Sequence, residues 1–152
     1  SEFGIWFSLT SVGYILGNML NSKLTPKVGL EKMCFVGTVC SFCTVFIFFL
    51  NNNLGENGSL TLSLICVLFG CSNGFAVANS MTGAINSSKL NKGAASGLMG
   101  AFQVGSGGLA GFLIIFFGGA ENFNICLFAL FIMSGISIIS SYLVLNKNNI
   151  IT

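Results

Sequence analysis

The chain has 152 residues, of which 53% are hydrophobic and 7% are charged, whereas about 25% of the residues of a typical soluble domain carry a charge. Six Lys and four Glu cannot cover the surface of a soluble domain of this length. The composition therefore indicates an integral membrane protein, and a net charge of only +2 without a basic patch argues against a nucleic-acid partner.

Five stretches are long and apolar enough to cross a hydrocarbon core, which takes about 20 residues of helix. In chain order they are residues 4–22, 33–50, 60–86, 94–118 and 123–145. The connections between them are short and contain Gly, Asn, Ser and the single proline, all of which favour turns. The sequence therefore predicts an all-α integral membrane protein, with five transmembrane helices in a single transmembrane domain.

The charged residues fall at or near the ends of these spans. With five spans, Glu2, Glu56 and Glu121 lie on one side of the membrane. The other side has Glu31 and all six lysines: Lys23, Lys27, Lys32, Lys89, Lys92 and Lys147. The positive-inside rule makes the lysine side and the C-terminus cytoplasmic. The chain begins without Met and enters an apolar span at once, so we expect it to be a fragment of a longer protein.

The spans differ in polarity. The second and fifth are rich in Phe, Val and Cys, and we expect them to face lipid. The first, third and fourth carry amides and hydroxyls, which cost several kcal/mol in hydrocarbon without partners. These groups either join helices by hydrogen bonds or line a wet cavity. We favour a cavity for substrate, with these candidate residues: Ser11, Tyr14, Asn18, Asn79 and Gln103.

The fourth span contains the segment "GAASGLMGAFQVGSGGLAG", residues 93–111, with seven glycines. Small residues allow close helix packing in lipid. One ridge of small residues has a spacing of four, and a second continues it on a neighbouring face: Gly93, Gly97, Ala101 and Gly105, then Gly107 and Gly111. We expect the ridge to pack against a neighbouring helix. Gln103 points about 200° away from Ala101 and Gly105, which favours its placement toward Asn18 and Asn79.

The sequence offers little for catalysis. It contains no His and no Asp, and its six cysteines all fall within apolar spans, where small apolar filling is their expected role. Intramembrane catalysis needs an activated nucleophile, a base or a metal. We therefore predict no catalytic residue, no metal site and no cofactor, and a protein that is not an enzyme.

Two segments carry a family resemblance. "LFGCSNGFAVAN" followed by "NKGAASGLMGAFQVGSGGLAG" resembles the tenth and eleventh helices of the bicyclomycin and multidrug-efflux branch of the major facilitator superfamily. The residues that match are Gly74, Asn79, Gly93, Ala95, Ser96, Leu98, Gly100 and Gln103. Ala78 stands where that family usually has proline. The start of the chain, "FGIWFSLTSVGYILGNMLNSKLTPKVG", resembles the eighth helix and the loop after it.

The resemblance implies that the chain is helices eight to twelve, most of one six-helix half of a major facilitator fold. It further implies proton-coupled efflux of small amphiphilic molecules across a bacterial inner membrane by alternating access. The partners would be a small-molecule substrate, the lipid bilayer and the missing N-terminal half of the same protein. No carboxylate lies mid-membrane here, so the coupling carboxylate would belong to the missing part. The alternative is a non-catalytic five-helix structural or assembly protein of the membrane.

Overall fold

Five α-helices make up the chain in a computed structural model that describes residues 2–55, 59–89 and 91–149. Their bounds are α1 Glu2–Val28, α2 Leu30–Leu54, α3 Ser59–Ser87, α4 Lys92–Phe116 and α5 Phe123–Asn149. Each predicted span coincides with one helix, and no strand occurs in the described residues. The prediction of an all-α membrane protein is confirmed.

Four of the helices, α2 to α5, are long and apolar enough to cross a membrane. The first helix is 27 residues long and contains the first predicted span, residues 4–22. Between α1 and α2 the chain turns at Gly29, whose φ of 98° is a conformation that favours glycine. Helix α1 runs unbroken through Pro26 to Val28, and α2 begins at Leu30, directly after Gly29.

Helices α1 and α3 run parallel and pack most closely of all. In each helix two glycines four residues apart face the partner: Gly13 and Gly17 in α1, Gly70 and Gly74 in α3. A Cβ atom at Gly17 would lie 2.9 Å from the Cys71 Cα atom and closer still to its carbonyl oxygen. Only glycine permits this backbone-to-backbone approach, which is the packing device of membrane helix pairs.

Helix α2 is the central helix of the bundle and runs antiparallel to α3 and α5. The Cys34 thiol contacts the carbonyl oxygen of Ala76 in α3 at 3.7 Å. On its other side α2 meets α5 through the Phe42 and Phe131 rings, whose centroids are 4.8 Å apart. The prediction that the second span faces lipid stays a prediction for Val36, Cys40, Cys43 and Phe46, which are exposed on α2. The rest of α2 packs on its two neighbouring helices. Met33 and Val45 are buried there.

Helix α4 has no buried residue, packs only lightly on α3 and α5, and makes no contact with described residues of α1 or α2. Its glycines at 97, 105, 107 and 111 have no atom of the described chain within 4 Å of a Cβ position. Gly93 meets only the Asn91 side chain, which caps the helix. The expected contact between this ridge and a neighbouring helix is not made within the described chain.

The charged residues separate as the sequence predicts. Helices α1, α3 and α5 run one way and α2 the other, so all six lysines lie at one end of the bundle, which we call the lysine end. Glu31 lies at the lysine end, and Glu121 lies at the opposite end, before α5. Glu56 is outside the described residues. The assignment of the lysine end to the cytoplasm stays a prediction.

Candidate substrate cavity

A cavity of about 620 Å³ lies among α2, α3 and α5. Polar side chains from all three helices line it: Glu31 and Thr38 from α2, Asn73, Asn79, Ser80 and Ser87 from α3, and Ser137, Ser140, Ser141 and Lys147 from α5. Small or aliphatic residues such as Ala76, Gly83 and Val144 complete the wall. We call this space the α3–α5 cavity. Its volume is within the range of small-molecule sites, about 300–1,000 Å³.

The α3–α5 cavity extends from the lysine end to the middle of the helices. Its mouth is marked by Glu31 and Lys147, near the start of α2 and the end of α5. Along α3 the lining reaches from Ser87 inward to Asn73, a rise of about 21 Å at 1.5 Å per residue. A molecule entering at the lysine end could therefore reach the depth of a bilayer centre between α3 and α5.

Two hydroxyls on the cavity wall hold α2 and α5 together. The Thr38 and Ser141 hydroxyl oxygens are 2.8 Å apart. Each hydroxyl is also close to a carbonyl oxygen of its own helix, Phe35 at 2.8 Å and Ile138 at 2.9 Å. The two hydroxyl protons serve three short contacts, so one hydroxyl donates to the other across the helices while the second donates to its own helix.

A second polar cluster joins α1 and α3 behind the cavity. The Asn79 amide donates to the Asn21 side-chain oxygen at 2.6 Å and to the Phe75 carbonyl oxygen at 2.8 Å. The Thr25 hydroxyl donates to the same Asn21 oxygen at 2.8 Å. Asn79 is only 2% exposed and Asn21 only 7%. Asn79 therefore borders the cavity, but its amide group is engaged between two helices.

The five predicted cavity residues do not converge. Ser11 and Tyr14 are exposed on α1, and the Asn18 amide donates to the Tyr14 carbonyl of its own helix at 3.0 Å. Gln103 is exposed on α4, away from the α3–α5 cavity. Asn79 alone of the five lies on this cavity. The polar stripe of α1 instead contributes Asn21 to the contact with α3.

The cavity residues that the sequence analysis missed had a recognisable signal. In α5, Ser137 is followed by Ser140 and Ser141 at distances of three and four residues, which places them on one face of a helix. In α3, Asn73 lies beside Ser72, and only Asn79 of this helix was predicted to line the cavity. Serine in an apolar helix is a weak signal because it usually bonds to its own backbone.

Nothing in the described part of the chain is arranged to hold a metal. No group of three His, Cys, Asp or Glu side chains comes together there. The six cysteines are free thiols: Cys34, Cys40, Cys43, Cys66, Cys71 and Cys126. The chemistry available on the cavity wall is hydrogen bonding by hydroxyl and amide groups, with one carboxylate and one ammonium group at the mouth.

Comparisons with family models, with curated proteins and with solved structures gave no match to this chain. The similarity to major facilitator transporters therefore rests on the two quoted segments and stays a prediction. What the structure establishes is an all-α membrane protein with a cavity between its helices that is lined by both polar and apolar side chains.

Proposed function

We propose that this chain is part of a membrane transporter that moves small amphiphilic molecules across the bilayer, with the α3–α5 cavity as part of the substrate path. The observation that carries the proposal is a cavity of about 620 Å³ to which three otherwise apolar helices contribute hydroxyl and amide side chains. Polar groups facing hydrocarbon cost several kcal/mol. A row of hydroxyls and amides reaching mid-membrane is therefore favourable where water or a polar substrate occupies the cavity.

The lining suits an amphiphile. Hydroxyl and amide groups of α3 and α5 can hydrogen-bond its polar part, while Ala76, Val77 and Val144 contact its apolar part. The cavity reaches the lysine end, which the positive-inside rule assigns to the cytoplasm. Substrate would then be loaded from the cytoplasm or from the inner leaflet, which is the direction of efflux.

The proton-coupled alternating-access mechanism is proposed from the family resemblance. Coupling to protons needs a carboxylate or His whose protonation changes during transport. Glu31 is the one carboxylate among the described lining residues, and it lies at the mouth and not at mid-membrane. The proposal therefore places the coupling carboxylate, and the opposite wall of the substrate path, in an N-terminal half of the same protein in a bacterial inner membrane.

A structural or assembly role is the second candidate. It is favoured by α4, a helix of 25 residues without a single buried residue. A membrane helix with glycines on its surface is suited to contact another membrane helix. In this alternative the chain would serve to bring other membrane proteins together, and the α3–α5 cavity would be filled by lipid.

Cysteine accessibility and flux together test the proposal. In full-length protein whose native cysteines are replaced by Ala, Ser137→Cys should react from the lysine end with the charged, impermeant reagent MTSES. Ile136→Cys is the matched control, because Ile136 is the preceding residue of α5 and is 58% exposed on the outer surface. Proteoliposomes with an imposed proton gradient should also move a fluorescent amphiphile faster than empty liposomes. Inert Ser137→Cys together with no flux would contradict the proposal.

A further inference from the structure

We infer that Asn73, Ser137 and Ser140 recognise the substrate in the α3–α5 cavity, and that the group they bind is uncharged and both donates and accepts hydrogen bonds. Alcohols, amides and sugar-like head groups belong to this class. The inference rests on the proposed function, since it names the chemistry of the same cavity.

These three side chains differ from three other serines of α3 and α5. The Ser72, Ser134 and Ser141 hydroxyls each donate to a carbonyl oxygen of their own helix at 2.9–3.0 Å. Asn73, Ser137 and Ser140 make no side-chain hydrogen bond to any residue that the structure describes. Their hydrogen-bonding capacity is therefore available to a molecule in the cavity.

The three residues line the cavity at similar depth. Ser140 precedes Ser141, whose hydroxyl contacts Thr38 of α2. Asn73 lies about one helical turn from Ala76, which meets α2 at Cys34 and Gly37. Gly37 and Thr38 are adjacent in α2, so Asn73 and the two serines lie at about the same level, on opposite walls of the cavity. One small molecule can contact all three.

The charges on the cavity wall decide the class of group. Among the described lining residues only Glu31 and Lys147 are charged. Glu31 precedes Thr38 in α2 by about 10 Å of helix, and Lys147 follows Ser140 in α5 by the same rise. A charged group beside Asn73 would lack a counter-ion in a low-dielectric site, where removing it from water is costly. An uncharged group can instead bond to one amide and two hydroxyls.

The test uses full-length protein in nanodiscs, with native cysteines replaced by Ala and Ser80→Cys as the reporter. Ser80 lines the cavity between Asn73 and the lysine end, and its hydroxyl bonds to its own helix. The reaction rate of Ser80→Cys with MTSES is measured with three octyl amphiphiles, each below its bilayer-dissolving concentration. They are octyl glucoside, octyltrimethylammonium and octyl sulfate. We expect saturable slowing by octyl glucoside at concentrations where the two charged amphiphiles have little effect.

Variants then identify the residues. Asn73→Leu, Ser137→Ala and Ser140→Ala should each raise the half-protecting concentration of octyl glucoside, by about 2- to 10-fold for a hydrogen bond of ordinary strength. Ser72→Ala and Ser134→Ala are the controls, since both residues are buried and outside the cavity. An unchanged labelling rate without amphiphile shows that a variant keeps the cavity.

The outcomes separate the two proposals. Equal protection by all three amphiphiles, no protection by octyl glucoside, or full protection in the Asn73→Leu, Ser137→Ala and Ser140→Ala variants would overturn the inference while the transport proposal stands. A reporter that MTSES cannot reach, in a protein without flux, would overturn the transport proposal and the inference together.

Discussion

The contact between α1 and α3 gives the sharpest prediction, for the change Gly17→Ala. A Cβ atom at Gly17 would overlap the Cys71 carbonyl oxygen and lie 2.9 Å from its Cα atom, whereas ordinary contacts begin at 3.4 Å. These are backbone atoms, so no side chain can rotate away. The two helices would have to separate by about 1 Å, and gaps of 0.5–1 Å already lose a quarter to a half of each dispersion contact.

Two effects of opposite sign decide the magnitude. Alanine is a better helix former than glycine by about 0.8–1 kcal/mol. Overpacking a tight contact costs about 1–3 kcal/mol, and the upper part of that range applies because the separation also stretches the 2.6 Å hydrogen bond between Asn79 and Asn21. We therefore expect Gly17→Ala to lower the free energy of unfolding by about 2 kcal/mol.

Gly135 supplies the matched control. It lies in the interior of α5, and no described atom is within 4 Å of its Cβ position. Gly135→Ala should keep only the gain in helix propensity, up to about 1 kcal/mol. Unfolding is measured by SDS titration of full-length protein in mixed micelles, followed by circular dichroism. If Gly17→Ala is as stable as the parent protein, or if Gly135→Ala loses as much stability, the close α1–α3 contact is refuted.

Three further predictions follow from the polar and charged residues. Asn79→Leu should lower the free energy of unfolding by about 0.6–1.7 kcal/mol in the same titration. The loss should be smaller when Asn21 is already Leu, because the two side chains share one hydrogen bond. Additive losses in the double variant would refute the pairing. Cysteines at Lys27 and Glu121 should react with an impermeant reagent from opposite sides of the membrane, and labelling of both from one side would contradict the topology. Gln103→Leu should leave the unfolding free energy unchanged within about 0.5 kcal/mol, since Gln103 is exposed; a larger loss would show a contact of α4.

The positions and ends of the helices could be predicted from the sequence because they depend on local features. Apolar runs of about 20 residues fix the helices, and Lys, Glu, Gly and Asn mark their ends. Glu121 and Lys147, for example, bound the last helix on its expected sides. Which helices touch depends on complementary surfaces far apart in sequence, and a single span does not show its partner.

Glycine shows why the packing was harder to predict than the helices. The segment of α4 with seven glycines is the most conspicuous glycine pattern in the sequence. Yet no neighbouring helix lies within 4 Å of a Cβ position at any of these glycines. The tight contact is made by two glycines in α1 and two in α3, each pair at a spacing of four. Close approach needs a ridge on both helices at the same depth. The glycine pairs of α1 and α3 form two such ridges that meet each other. The number of glycines in one helix does not show whether a matching ridge exists on another helix.

The two asparagines of α3 show the same distinction for polar residues. Asn79 and Asn73 are six residues apart in one apolar helix, so composition alone does not distinguish them. Asn79 meets Asn21 and a backbone carbonyl, and its buried amide group joins two helices. Asn73 meets no hydrogen-bonding group of the described chain and faces the α3–α5 cavity with Ser137 and Ser140. The first side chain stabilises the bundle by being fully bonded. The second is available for a ligand because its hydrogen bonds are left open, and that difference depends on the neighbouring helices.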